Sequence, residues 1–256
     1  MSNTAVEYLK SKSNDIKYKL YLSYPKSYND SLTKKYPVLY LLDADYSFAI
    51  AKNITDHLSE RNHLQEMIIV GIAYDNNNYR VNRTRDYTPT NSIESGVSFQ
   101  EIQKQYSGGG INFSSFIENE LIPYIDKNTR NTGFRAITGH SYGGLFSTWT
   151  LLTKPELFSG YIIVSPSLWY DNRLMFKIEE QFKDNDNKKK VYFTVGDREV
   201  NQNWNMPKDL ADFVKIMEEK KLKNIETKIM IEADETHNSI FPIGLSKGLR
   251  YVFNGI

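Results

Sequence analysis

Six short apolar segments alternate with helix-like stretches along the chain, and this alternation limits the possible folds more than any other feature. The segments are rich in β-branched and aromatic residues and read "YPVLYLLDA", "MIIVGIAY", "FRAITG", "YIIVSPS", "KVYFTVGD" and "IETKIMIEA". Such nearly continuous apolar runs are typical of strands that are buried on both faces of a parallel sheet. The pattern therefore predicts an α/β fold with a mostly parallel central sheet and helices on both faces.

The segment "IKYKLYLSYP" near the N-terminus has a different pattern, because apolar and polar residues alternate along it. This alternation favours an antiparallel edge, in which the segment pairs with the preceding "AVEYLKS". Between the strands, apolar spacing predicts helices over 48–60, 113–128, 143–153, 174–183, 207–220 and 244–253. Pro123 should kink or end the second of these helices, since proline cannot donate a backbone hydrogen bond.

The chain has 256 residues, of which 40% are hydrophobic. A chain of this size can form one large domain over residues 1–256, although two smaller domains are also compatible with its length. Residues 75–112 are too long for an ordinary connection, and we expect a long insertion loop there. The arginines and tyrosines of this segment are Tyr79, Arg80, Arg83, Arg85 and Tyr87. These residues suit contact with a ligand, but a surface loop with solvated arginines fits equally well. The "SGGGIN" sequence near its end predicts a flexible hinge.

The composition argues against several classes of partner and site. A formal net charge of +1 gives no indication of a nucleic acid or an anionic membrane as partner. The absence of cysteine excludes a disulfide framework, a thiolate metal site and a cysteine nucleophile. The N-terminus lacks the features of a secretory signal, and no apolar run reaches the roughly 18 residues that span a bilayer. We therefore expect a soluble, cytoplasmic protein of undetermined oligomeric state.

The pentapeptide Gly139-His140-Ser141-Tyr142-Gly143 fits the G-x-S-x-G pattern of a nucleophile elbow. In such an elbow, flanking glycines permit a sharp turn from a strand into a helix, and the turn exposes the serine oxygen. A lone pentapeptide is a weak signal. Here the predicted strand "FRAIT" precedes it and the predicted helix "GGLFSTWTLL" follows it, which is the context that the elbow requires. We therefore predict that Ser141 is a nucleophile.

A serine hydroxyl needs a base, and histidine is the side chain best suited to this role near neutral pH. With such an elbow the chain order is serine, acid, histidine, which argues against His57 and His63 because both precede Ser141. His140 is the neighbour of the serine, so its side chain should point elsewhere. His237, just after the last predicted strand, is the remaining candidate and is our predicted base.

The acid that orients the histidine should lie in the loop after "KVYFTV", where the sequence offers Asp197 and Glu199. Spacing alone does not separate these two carboxylates, and either could instead be a solvated loop residue. Asp209 and Asp212 are weaker candidates, because they fall at or inside the next predicted helix. The oxyanion hole should use the backbone N–H groups of Tyr142, directly after the serine, and of Ala44, after the third strand.

With these residues identified, the chain resembles the "Putative esterase" family of α/β-hydrolases, in the branch that includes trilactone siderophore esterases of the enterobactin and bacillibactin type. The resemblance covers nearly the whole chain. It rests on six motifs in the expected order, which are "YPVLYLLDADYSF", "RTRDYTP", "GHSYGGLF", "YIIVSPSLWY", "VGDRE" and "THNSIFPIGLSKGLRYVF". The resemblance implies an α/β-hydrolase fold and a serine esterase without a metal or organic cofactor.

The resemblance also implies roles for individual residues. Glu199 matches the glutamate of the family's G-x-x-E loop and becomes the first choice for the acid over Asp197. Ala44 replaces the family's glycine after the third-strand aspartate. Arg83 lies in the family-like arginine segment, where it could hold an anionic substrate through charge-assisted hydrogen bonds. Trp169, after "SPSL", could form an aromatic wall or could simply pack in the core.

We therefore predict a carboxylic ester hydrolase that acts on a small-molecule ester through an acyl-enzyme on Ser141. A siderophore-type trilactone is the narrower hypothesis for the substrate. The alternatives are a general acyl, feruloyl or acetyl-sugar esterase, an acyltransferase of the same fold, and a binding module that has lost turnover.

Overall fold

The computed structural model describes residues 3–94, 96–183 and 185–255. Their strands form one sheet of eight in the order β1-β2-β4-β3-β5-β6-β7-β8. The strands are β1 (Thr4–Lys10), β2 (Lys17–Ser23), β3 (Tyr36–Leu41), β4 (Ile68–Tyr74), β5 (Asn131–His140), β6 (Gly160–Val164), β7 (Lys189–Gly196) and β8 (Ile225–Glu232). Strands β3 to β8 run parallel, whereas β2 is antiparallel to both β1 and β4. The predicted parallel sheet with an antiparallel N-terminal edge is confirmed.

The continuous apolar runs lie in the centre of this sheet, where both faces are covered. All residues of β3 and β4 are buried. Along β3, Val38 and Tyr40 point into one hydrophobic core, whereas Leu39 and Leu41 point into the other. This alternation follows from the two-residue period of a strand. A strand that serves two cores must be apolar at every position, which is the pattern seen in the sequence.

Nine α-helices surround the sheet in the described part of the chain. They are α1 (Ala44–Ser59), α2 (Tyr79–Tyr87), α3 (Gln100–Tyr106), α4 (Gly110–Phe116), α5 (Ile122–Asn128), α6 (Tyr142–Thr153), α7 (Tyr170–Gln181), α8 (Met206–Glu219) and α9 (Ile240–Val252). The apolar residues of α1 and α9 belong to one core, and those of α4 to α8 belong to the other. Helices therefore cover both faces, as predicted. No helix within the described ranges is long and apolar enough to cross a membrane.

The helix predicted over 113–128 contains a local irregularity that accommodates its proline. A π-helical segment, Ile117–Leu121, joins α4 to α5, and the N–H of Ile122 donates to the carbonyl of Ile117. Pro123 follows directly, at the start of α5. One inserted residue of this kind shifts the hydrogen-bond pattern at the point where the proline donor is missing. The helical run therefore continues to Asn128 instead of ending at Pro123.

The segment 75–112 contains two helices, α2 and α3, which the sequence pattern did not predict. Helix α2 has no apolar stripe to reveal it, because it buries the polar side chains of Asn82, Thr84 and Asp86. The "SGGGIN" glycines also differ from the expected hinge. Gly108 and Gly110 donate backbone hydrogen bonds to Thr88, and a Cβ at either glycine would press on neighbouring backbone atoms. These glycines therefore permit close backbone packing. Residue 95 lies outside the described residues.

Candidate active site

Ser141 lies on the sharp turn between β5 and α6. Its backbone has φ 61° and ψ −115°, a strained conformation for a residue with a side chain. A Cβ at Gly139 would overlap the carbonyl oxygen of Gly143, and one at Gly144 would lie 2.9 Å from Cα of Pro166. The surrounding backbone is therefore too close for side chains at these two positions, which explains Gly139 and Gly144. This geometry is that of a nucleophile elbow.

Glu199 lies after β7, and its carboxylate is buried among three donors. One oxygen, Oε1, accepts hydrogen bonds from the backbone N–H of Gly196 at 2.8 Å and from the Ser165 hydroxyl at 2.5 Å. The other oxygen, Oε2, lies 2.6 Å from Nδ1 of His237. A buried carboxylate needs such partners, because burial would otherwise disfavour its charged form. Asp197, the alternative acid, is exposed, so the structure brings only Glu199 of this pair to His237.

His237 lies in the turn between β8 and α9, and its ring is partly exposed to the same cavity as Ser141. The contact with Glu199 uses Nδ1 and leaves Nε2 for the cavity. Ser141 lines the cavity, and its hydroxyl makes no hydrogen bond with any residue that the structure describes. Parallel strands place their carboxyl ends at one edge of a sheet, which brings together residues that are far apart in sequence.

The cavity has a volume of about 600 Å³, within the range of small-molecule sites. Aromatic rings, two arginines and the elbow form most of its wall. Its lining consists of Tyr46, Tyr79, Arg80, Arg83, Thr84, Gly96, Val97, Ser98, Phe99, His140, Ser141, Tyr142, Trp169, Trp204, His237, Asn238 and Phe241. Within the described ranges, no group of three or more histidine, aspartate or glutamate side chains could hold a metal ion.

His140 also lines this cavity, where its ring packs beside that of His237. Its ring centroid lies 4.5 Å from that of His237, and its Nδ1 lies 3.3 Å from the hydroxyl of Tyr46. Burial, the neighbouring His237 and the charge of Arg83 together hold the pKa of His140 well below its ordinary value of 6.5. The ring is therefore neutral at physiological pH.

The two arginines of the cavity have different surroundings. Arg83 forms a two-point ion pair with the buried carboxylate of Asp43, with Nε–Oδ1 and Nη2–Oδ2 distances of 3.1 and 3.2 Å. Arg80 makes no ion pair with any described residue, and its guanidinium lies 5.0 Å from the ring centroid of Phe99. Arg80 is therefore the cation that a ligand could approach more freely.

Two other residues of the arginine segment do not reach the cavity. Arg85 pairs with the buried Asp86, at an Nε–Oδ1 distance of 2.7 Å. Tyr87 is fully buried, and its hydroxyl accepts the backbone N–H of Asp43 at 3.0 Å. The composition of this segment could not reveal the difference, because the helical turn of α2 decides which side chains face inward.

The two predicted oxyanion donors, Ala44 and Tyr142, are the first residues of α1 and α6. These helices begin at the carboxyl ends of the neighbouring strands β3 and β5. The first N–H groups of a helix lack partners within the helix, so they are available to an anion. The methyl group of Ala44 packs against Gly71 of β4 and belongs to the core. The extra methyl group that alanine has at this position, compared with glycine, therefore packs against the sheet.

Trp169 forms one wall of the cavity together with Trp204, a residue that the sequence analysis missed. Their rings are stacked, with centroids 4.9 Å apart and an interplanar angle of 12°. Nε1 of Trp169 is buried without a hydrogen-bond partner among the described residues. Trp204 lies in the loop between β7 and α8, so its place in a loop that follows a parallel strand was the available signal. Such a stack offers a flat apolar surface to a ligand.

Comparison with known proteins places these features in a family. The family model described as "Putative esterase" matches residues 11–244. A ferri-bacillibactin esterase from Bacillus subtilis is 28% identical over 261 residues, which cover 98% of this chain and 90% of that protein. An IroE-like serine hydrolase from Shewanella oneidensis is 29% identical, with a TM-score of 0.86 over 98% of this chain and 80% of that one. The BES protein from Bacillus cereus is also 29% identical, with a TM-score of 0.79 over 98% and 95% of the chains. The predicted α/β-hydrolase fold is confirmed.

Proposed function

We propose that Ser141, His237 and Glu199 form the catalytic triad of this chain. The chain belongs to the esterase family and is a serine esterase. The observation that carries the proposal is the 2.6 Å contact between Glu199 and His237 at a cavity that also contains Ser141. The contact holds the proton on Nδ1, so the other ring nitrogen can act as a base. The strained turn at Ser141 supports the role of nucleophile.

In the proposed reaction, the Ser141 hydroxyl attacks the ester carbonyl carbon while Nε2 of His237 takes its proton. The oxygen of the tetrahedral intermediate accepts hydrogen bonds from the N–H groups of Ala44 and Tyr142. When the intermediate collapses, the ester C–O bond breaks and the alcohol leaves with the proton from His237. Water then attacks the acyl-enzyme by the same route and releases the acid.

We further propose that the substrate is a siderophore ester of the trilactone type. Support comes from the names of the relatives, since the Bacillus subtilis relative is a ferri-bacillibactin esterase and another relative, from Emericella nidulans, is a siderophore enterobactin esterase. The cavity suits such a ligand, because Trp169 and Trp204 offer a flat apolar wall and Arg80 an available cation. Arg83 is not available in the same way, since Asp43 already occupies much of its guanidinium. A cytoplasmic location stays a prediction from the N-terminal sequence.

The test uses purified protein and its Ser141→Ala variant. The wild type should release p-nitrophenol from p-nitrophenyl acetate with an initial burst and should react with a fluorophosphonate probe, and the variant should do neither. Full activity of the variant would contradict the nucleophile. A catecholate trilactone, with and without bound iron, tests the substrate. Hydrolysis of simple acyl esters without any opening of the trilactone would reject the siderophore proposal and leave the esterase assignment intact.

A further inference from the structure

Arg83 contacts both of the chain segments that carry the predicted oxyanion donors. Through Asp43 it holds the turn between β3 and α1, in which Asp43 directly precedes Ala44. Through Nη2 it also donates to the carbonyl of His140 at 3.3 Å, at the end of β5 and two residues before Tyr142. One guanidinium therefore bridges two segments that are about a hundred residues apart in sequence.

The bridge is buried and has fixed geometry. The Asp43 side chain is 1% exposed and that of Arg83 is 13% exposed. A planar guanidinium that binds a carboxylate at two points restricts both partners in distance and in orientation. Asp43 itself adopts a left-handed conformation, with φ 54° and ψ 38°, so this turn is strained and needs support. The Arg83 contacts provide that support from outside the turn.

These contacts use Nε and Nη2 of Arg83 and compensate its charge inside the protein. A substrate anion would have to compete with the buried carboxylate of Asp43 for the same cation. An oxyanion hole, in contrast, depends on two backbone donors being held at fixed separation before the reaction begins. The contacts of Arg83 with both chain segments suit this need for a fixed separation better than they suit the binding of a substrate anion.

We propose that Arg83 is a positioning residue that fixes the N–H groups of Ala44 and Tyr142 relative to each other, and that it does not recognise the substrate. This proposal rests on the proposed function, because it concerns the same oxyanion hole. It leads to a clear distinction between substrates. Removal of Arg83 should slow the hydrolysis of every ester, neutral or anionic, since the developing oxyanion is common to all of them.

The experiment compares Arg83→Met with wild type on p-nitrophenyl acetate and on a p-nitrophenyl ester with a carboxylate on its acyl group. We expect kcat to fall about 10²-fold on both esters, with KM on the neutral ester changed less than about threefold. A trifluoromethyl ketone, which forms a tetrahedral adduct with the serine, should bind more weakly by the same factor as kcat/KM falls. Arg135→Met, which removes an arginine–aspartate pair in the middle of β5, is the control and should keep wild-type kinetics.

Two further measurements distinguish a loss of folding from a loss of the positioning role of Arg83. A partly unfolded sample would lower the apparent kcat but leave the dissociation constant of the ketone unchanged for the remaining active molecules. The double variant Asp43→Asn/Arg83→Met removes both charges, so no unpaired carboxylate is left buried, and it should show the same loss of kcat. Full kcat on the neutral ester, in either variant, overturns the proposal, as does a loss confined to the anionic ester. A Ser141→Ala variant that still hydrolyses esters would overturn the nucleophile instead, so the two proposals fail separately.

Discussion

Nδ1 of His237 lies 2.6 Å from Oε2 of Glu199, although the two residues are 38 positions apart in the chain. The second carboxylate oxygen of Glu199 is already occupied by Gly196 and Ser165. The carboxylate therefore cannot rotate freely, and it fixes both the tautomer and the direction of the imidazole. This restriction is what a triad acid must provide, because a misdirected histidine cannot accept the serine proton.

The first prediction compares the two carboxylates of the "GDRE" loop. Glu199→Gln should lower kcat by about 10³–10⁴-fold, because a neutral amide favours the wrong tautomer of His237 and does not stabilise its charged form. Asp197→Asn should leave kcat within about twofold of wild type, since Asp197 is exposed. Steady-state kinetics on p-nitrophenyl acetate measures both. Equal effects of the two variants, or a larger effect of Asp197→Asn, would contradict the assignment of Glu199.

Much of this fold could be predicted from the sequence because its dominant signals are local. A strand of a doubly covered sheet must be apolar at every position, and β3 and β4 satisfy this condition. The candidate nucleophile was also predictable, since the turn at Ser141 requires nearby glycines. His237 followed from chain order, because the elbow restricts where the histidine can lie.

Other features could not be predicted, because they depend on contacts between segments that are distant in sequence. The pairing of Arg83 with Asp43 joins residues 40 positions apart, and no spacing rule reveals it. The direction of the His140 ring depends on how β5 meets the turn before α9, where His237 lies. Helix α2 was missed because it packs polar side chains inward, against the usual pattern of an amphipathic helix.

The second prediction concerns stability and pH, through the partly buried ring of His140. Its pKa is well below 6.5 in the folded state, owing to burial and to the nearby His237 and Arg83. The unfolded chain therefore binds a proton at His140 as the pH falls below 6.5, whereas the folded protein does not. Folding loses stability in that range, by at most about 1.4 kcal/mol between pH 7.5 and pH 5.5.

Urea unfolding at the two pH values measures this loss. The His140→Gln variant should lack the part of this loss that comes from the His140 ring. Its free energy of unfolding should therefore fall by less than that of wild type over the same interval. The exposed His63 provides the matched control, since His63→Gln should retain the wild-type pH dependence. An unchanged pH dependence in His140→Gln would show that the ring is free to take up a proton in the folded state.

The third prediction compares two glycines of the same pentapeptide. A Cβ at Gly139 would overlap the backbone of Gly143, whereas a Cβ at Gly143 would first meet Oδ2 of Asp43 at 3.3 Å. Gly139→Ala should therefore lower the free energy of unfolding by about 2 kcal/mol or more, because backbone must move. Gly143→Ala should cost clearly less, because its one close contact, with Oδ2 of Asp43, is a full 3.3 Å away and alanine favours the helix. Denaturant titration separates the two, and equal losses would contradict this account of the elbow.

The final prediction concerns the stacked pair Trp169 and Trp204, whose rings lie 4.9 Å apart in the cavity wall. Trp204→Leu removes one ring of the stack and leaves the other ring less supported. We expect kcat/KM for esters with an aromatic acyl group to fall roughly 3–10-fold, the loss associated with one aromatic contact. The effect should appear mainly in KM and should be smaller for p-nitrophenyl acetate, whose acetyl group is too small to cover the wall. Tyr251→Leu, which removes an aromatic ring from α9 that does not line the cavity, is the matched control. An equal loss on acetyl and aromatic esters would mean that Trp204 supports the fold of the site and does not contact the acyl group.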